Sequence, residues 1–225
     1  MQDKKVVLFI VEGITDETAI GHIVKKLNKD KKVFFQIVRT DITTQDSSNV
    51  ANIEVKINKQ IELCMEQMHF KIKDIIKIIH LVDLDGAFVG EDVVVYKNIP
   101  QIEYDLEHIY TSNIEFIRKR NQKKKQILNR LSSTQRIRGI PYSIYYFSTN
   151  MEHVFHNQQN VKDDEEKFNL ANEIQDKFYD NPVNFIEFIN DDKYALKDTY
   201  ENTWEFIKKG NNSLKRYTNF NLYFE

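Results

Sequence analysis

The chain has 225 residues, 41% hydrophobic and 12% aromatic, enough to bury a sizeable core as one domain with an elaboration. Its 32 Lys and Arg against 34 Asp and Glu leave a net charge of −2, which excludes a uniformly basic nucleic-acid binder. The single cysteine, Cys64, excludes an intrachain disulfide, and no apolar stretch approaches the ~20 residues needed to span a bilayer. Residues 1–5 lead into a strand too short, and too acidic at its end, for a signal peptide, so a cytoplasmic protein with no membrane partner is expected.

In chain order, Val6 to Val11 is an apolar, largely β-branched run that reads as a buried parallel strand. Glu12 ends it, and Gly13 lets the backbone turn into a helix that starts near Thr15 or Asp16, with Ala19, Ile20, Ile23, Val24 and Leu27 on its apolar face. Glu12 and Asp16 are therefore expected side by side at one strand-to-helix junction. Glu17 reads as an ordinary first-turn acid. Val33 to Val38 is the second strand, followed by a polar loop over residues 39–48 that is long enough to reach the same sheet edge. Its hydroxyls, that of Thr43 among them, are candidates for holding a phosphate; the alternative is a solvated loop that caps the next helix. That helix runs from Asn52 to Met68, with Ile53, Ile57, Ile61 and Cys64 on one face. Ile78 to Val82 begins a third buried strand that ends at Asp85. Alternation along it predicts that Asp83 and Asp85 point the same way, with Leu84 turned toward the packing side. Two carboxylates would then converge on one point, and hard oxygen ligands without a Cys or His cluster favour Mg2+ or Mn2+ over zinc.

From Arg118 to Asn150 there is no acidic residue, while nine Lys and Arg make a local phosphate-binding field, much of it on a helix expected from Ile102 to Leu131. Lys123, Lys124, Lys125, Arg130, Arg136 and Arg138 are the candidate nucleic-acid contacts. The competing reading is a solvated helix face neutralised by the acidic segment 163–166. Tyr142 to Ser148 reads as another buried strand running into Asn150 and Glu152. On the residues alone Glu152 reads as a helix N-terminal carboxylate, and His153 and His156 are expected on the helix surface. The tail reads as amphipathic helices around Phe168–Phe178, Phe185–Ile189 and Trp204, closing with an edge strand or docked terminus over Phe220–Phe224. The expected fold class is α/β, a mainly parallel sheet flanked by helices on both faces, over residues 1–157, with a helical C-terminal elaboration over 158–225.

A hydrophobic strand ending in Glu12-Gly13, Asp16 on the next helix, and a later strand ending in Asp83-x-Asp85 together resemble the Toprim domain. That domain is shared by topoisomerases, bacterial primases, a ribosomal-RNA maturase and nucleases of the overcoming-lysogenization-defect type. The resemblance implies a Toprim-like fold, Glu12 as metal ligand or general acid/base, and Asp83 and Asp85 as magnesium ligands. The nuclease branch carries a small polar residue, a spacer and a Glu at the fourth strand, where the Glu joins a second metal site. Asn150 and Glu152 match loosely, with Asn in place of Ser or Thr. That branch also uses a C-terminal Lys to stabilise developing charge, for which Lys193, Lys197, Lys208, Lys209 and Lys215 are equal candidates. The function so implied is a divalent-metal-dependent nuclease, a hydrolase of DNA or RNA phosphodiesters acting in phage defence or a mobile element. The alternatives are a non-catalytic nucleic-acid-binding module, or an effector subunit active only with a partner ATPase, since no Gly-rich nucleotide-binding loop occurs here.

Overall fold

Every residue of Val6–Val11 (β1) is buried, because this strand is central in its sheet and covered on both faces. The computed structural model of the chain describes residues 5–38 and 41–225. After β1 come α1 (Ile14–Leu27), β2 (Lys32–Ile37), α2 (Ile53–Met68) and β3 (Ile75–Asp83). Three short strands follow, β4 (Val94–Tyr96), β5 (Glu103–Tyr104) and β6 (Ile109–Thr111), and then α3 (Ile114–Ser132). β7 (Arg136–Ile137) and β8 (Ile140–Phe147) lead into α4 (Met151–His156), α5 (Asp164–Phe178), α6 (Asn184–Ile189) and α7 (Tyr200–Ile207).

The main sheet has the order β2-β1-β3-β8-β7, parallel throughout except for the short β7–β8 hairpin. Side-chain alternation divides its core between two helical layers. Val6, Leu8 and Ile10 of β1 pack with Ile53, Ile57 and Ile61 of α2, with Ile127 and Leu131 of α3, and with Trp204 of α7. Val7, Phe9 and Val11 face the other way, toward Ile20 and Ile23 of α1, Ile174 and Phe178 of α5, and Phe185 of α6. The molecule is therefore an α/β structure with a mostly parallel central sheet and helices on both faces. The apolar face expected for α2 is buried as predicted.

The helix expected from Ile102 begins only at Ile114, and the segment before it forms the small sheet β4-β6-β5. Alternation in Ile109-Tyr110-Thr111 marks β6 as a strand, and Asn113 then caps α3 by accepting the Phe116 N–H. The closing Phe220–Phe224 segment is a docked 3-10 turn rather than an edge strand. Residues 39 and 40 of the polar loop, and 1–4 of the start, lie outside the described residues.

Candidate active site

The chain passes from β1 to its neighbour β2 on one side, and from β3 to β8 on the other. The β1/β3 gap is thus the point where the strand order reverses, and ligands of open parallel sheets bind at the C-terminal edge of such a point. Glu12 and Asp83 stand there, joined by the Asp83 N–H donating to Glu12 Oε1 at 3.4 Å. Their side chains belong to opposite layers. Glu12 continues the Val6-Leu8-Ile10 row toward α3, whereas Asp83 continues Ile79 and Leu81 toward α1 and α5.

On the α3 side the central group is Lys124, wholly buried, with Nζ 2.8 Å from Asp41 Oδ2 and 2.6 Å from Asp85 Oδ2. Asp41 also accepts from the Thr43 N–H at 2.7 Å and from Thr43 Oγ1 at 2.5 Å. One turn of α3 grips the Asp85-Gly86 turn: Arg120 Nη2 donates to the Asp85 carbonyl at 2.9 Å, and Asn121 Nδ2 to that of Gly86 at 3.4 Å. Both residues of this turn are left-handed, with φ of 50° at Asp85 and 67° at Gly86. A Cβ on Gly86 would lie 2.7 Å from Leu214 Cδ2 and 2.9 Å from Ile109 Cδ1, so only glycine fits there. The expectation that Asp83 and Asp85 point the same way is corrected here. The regular strand stops at Asp83, and the left-handed backbone at Asp85 swings its carboxylate to Lys124.

On the α5 side, Asp83 meets Asp16 of α1, Glu152 of α4 and Lys167 of α5 through their mutual electrostatic influence. Asp16 Oδ2 accepts from the Gly13 N–H at 2.7 Å, closing the junction expected between β1 and α1. Glu152 is 2% exposed, its Oε1 has no hydrogen-bond partner among the described residues, and Lys167 Nζ stands 3.6 Å from it. Asn150 caps α4, accepting from the His153 N–H at 2.8 Å and donating to the Gln159 carbonyl at 2.8 Å. His153 is not on the surface as expected: α4 lies against β8, which buries the imidazole and lowers its pKa to about 4, with Arg216 adding to the effect. The Arg216 side chain donates to the carbonyl of Val154 at 2.7 and 2.9 Å.

The electrostatics follow from crowding. Burial, then the neighbouring Asp41 carboxylate, pushes Glu12 well above the usual carboxylate range. Burial likewise raises Asp83, with Glu152, Asp16 and Asp85 adding to it, and raises Asp16 to about 6. Burial opposes charge on Asp41 as well, but the Lys124 ammonium and the Thr43 donors hold it at about 2. Lys124 and Lys167 are both raised despite desolvation, by the carboxylates around them. Six carboxylates, those of Glu12, Asp16, Asp41, Asp83, Asp85 and Glu152, thus surround two lysines.

The other candidate contacts are dispersed. Lys123 donates to the carbonyls of Thr44 and Gln45, Arg130 pairs with Glu54, Arg138 with Glu62, and Arg136 donates to the Gly139 carbonyl. Thr43 is fully buried on Asp41. Lys125 and Lys119 are exposed and have no ion-pair partner among the described residues. The acidic segment 163–166 caps α5, Asp163 accepting from the Glu166 N–H, and the ion pairs of α3 run to Asp41, Asp46, Glu54, Asp85 and Glu115 instead. Of the C-terminal lysines, Lys193, Lys197 and Lys208 pair with Asp191, Asp192 and Glu205. The lysine that meets the carboxylates from the tail is Lys167. Neither it nor Asp41 stands out in the sequence: Asp41 sits in a generic polar loop, and Lys167 follows a run of four acids.

Comparison with known protein families, with curated proteins and with solved structures finds no match to this chain. Among the described residues, no three His, Cys, Asp or Glu side chains converge, as placed, on a point able to hold a metal ion. No helix among them is long and apolar enough to cross a membrane.

Proposed function

We propose that this chain is a divalent-metal-dependent nuclease, a hydrolase of DNA or RNA phosphodiesters, on a Toprim-like fold of the overcoming-lysogenization-defect branch. The observation that carries the reading is the gathering of Glu12, Asp83, Asp85, Asp16 and Glu152 at the sheet's reversal point, with several carboxyl pKa values raised by burial and mutual repulsion. The donor set suits Mg2+ or Mn2+: all hard oxygens, more negative charge than two lysines offset, and one buried carboxylate oxygen on Glu152 that accepts no hydrogen bond among the described residues. Glu12, Asp83 and Asp85 would hold the ion, with Asp16 and Glu152 on its α5 side. When bound, the metal supplies an activated hydroxide and neutralises the leaving oxygen. In the alternative role Asp83 and Asp85 would hold the ion without Glu12, and Glu12, which holds its proton more tightly than an ordinary carboxylate, would shuttle that proton. Lys167, partly exposed beside Glu152, would supply positive charge to the scissile phosphate, while buried Lys124 neutralises Asp41 and Asp85.

The reading of an effector subunit that acts only with a partner ATPase, in phage defence or a mobile element, draws on one observation. Lys124 ties Asp85 to Asp41, and that link must loosen for Asp85 to join Glu12 and Asp83. Incubation of the purified protein with plasmid, single-stranded DNA and RNA, in Mg2+, Mn2+ or chelator, tests the nuclease reading. Cleavage that requires the metal is expected. Cleavage in chelator would refute the metal role, and intact substrate under every condition, with a partner ATPase added, would leave a binding module.

A further inference from the structure

A cleft of about 630 Å³, within the ~300–1,000 Å³ range of small-ligand sites, adjoins the carboxylate group through Lys167, which lines the cleft and pairs with Glu152. Its walls come from the start of α1, the end of β2 and the first turn of α5. Asp164, Lys167 and Phe168 are spaced i, i+3, i+4 and so share one face of α5. Phe168 is 47% exposed and Ile14 is 56% exposed, and neither joins any core cluster. Two large apolar side chains thus stand uncovered in the cleft that Lys167 also lines, and the Lys167 ammonium reaches toward Glu152 in the group just described.

We infer that this cleft takes an unpaired nucleotide of a single strand, its base lying on Phe168 and Ile14 and its phosphate directed to Lys167. The inference rests on the nuclease reading and names its substrate class. An exposed aromatic ring beside a phosphate site can stack only on a base whose face is free, and in a duplex those faces are covered by neighbouring base pairs. Charge orients the occupant: exposed Asp164 repels phosphate, whereas Lys167, half-buried and 3.6 Å from Glu152, attracts it, so the phosphate is directed to the Lys167–Glu152 side of the cleft. The same cleft offers nothing to a duplex beyond that one lysine.

Phe168 is exposed, so Phe168→Ala and Phe168→Trp should both fold, which thermal melting checks. Binding is measured in chelator, where a metal-dependent nuclease leaves the probe intact, using single strands of about 12 nucleotides, DNA and RNA, and the matching duplexes. Phe168→Ala should weaken single-strand binding by about 5- to 160-fold, the range of one lost base–aromatic stack, and leave duplex binding within about twofold. Phe168→Trp should restore it. Equal losses for single strand and duplex, or no loss, would overturn the inference, and in the second case a protein surface becomes the better occupant. The two readings fail separately. Wild-type cleavage with unchanged Phe168→Ala binding sinks the cleft and spares the nuclease, while a Phe168-dependent preference for single strands without any cleavage does the reverse.

Discussion

Asp16 keeps its proton up to about pH 6 because burial disfavours its charge more than the Gly13 N–H supports it. Its value in the unfolded chain is near 3.9, so between these values the native state binds more protons than the unfolded state. The stabilisation this gives is fully present below about pH 3.9 and is lost as the pH rises through about 6. Glu12 and Asp83, raised by burial and their neighbours, act in the same direction. Asp41 acts oppositely: held at about 2, it contributes stability above its unfolded value that is lost as the pH falls through 2. The metal-free protein should therefore lose stability as the pH rises from about 3.9 to about 6. Asp16→Asn, which keeps an oxygen for Gly13, should flatten that slope and raise stability at pH 7 by roughly 1 kcal/mol, discounted for partial exposure. Melting curves across this range check it, and an unchanged slope in Asp16→Asn would contradict the crowding described.

At the scale of elements, α3 carries two kinds of lysine that the sequence does not distinguish. Lys124 faces inward and neutralises Asp41 and Asp85, whereas Lys119 and Lys125 face solvent. Lys124→Gln should destabilise the fold by about 3–5 kcal/mol, because it leaves two partly buried carboxylates without their cation. Lys119→Gln with Lys125→Gln should leave the melting temperature unchanged and reduce the salt slope of nucleic-acid binding by about one unit per lost contact. A stable Lys124→Gln, or an unaltered salt slope in the other pair, would contradict this division of α3. The difference explains what was legible. β1, α1 and α2 follow from hydrophobic period and from turn residues, and Asp16 closes on the Gly13 N–H at the strand-to-helix junction, while the Glu12 side chain turns to the opposite, α3 side. Alternation failed at Asp85, since a single left-handed residue after a strand leaves no mark on apolar spacing. The inward turn of Lys124 depends on Asp41, 83 residues away in sequence, and no local pattern encodes that pairing.

At the scale of the whole molecule, the C-terminal tail closes the site. The Ser148 N–H donates to the Tyr217 carbonyl, the Tyr146 N–H to Asn219 Oδ1, and the Thr149 N–H to the Ser213 carbonyl. Leu214 packs where Gly86 makes room for it. The end of β8 and the Asp85 turn are thereby held by residues more than 60 positions further along the chain. The tail is a wall of the carboxylate site as well as a cover for the core, and α5 brings Lys167 to it. In this arrangement Glu12 is the one carboxylate that continues β1 directly into the reversal point, and the nuclease account stands or falls with it. The most direct test is cleavage and binding of single-stranded and duplex nucleic acid by wild type and Glu12→Gln in Mg2+ or Mn2+. The account predicts that Glu12→Gln melts no lower than wild type and binds like it while its turnover falls by about two orders of magnitude or more. Equal turnover in the two proteins would contradict it.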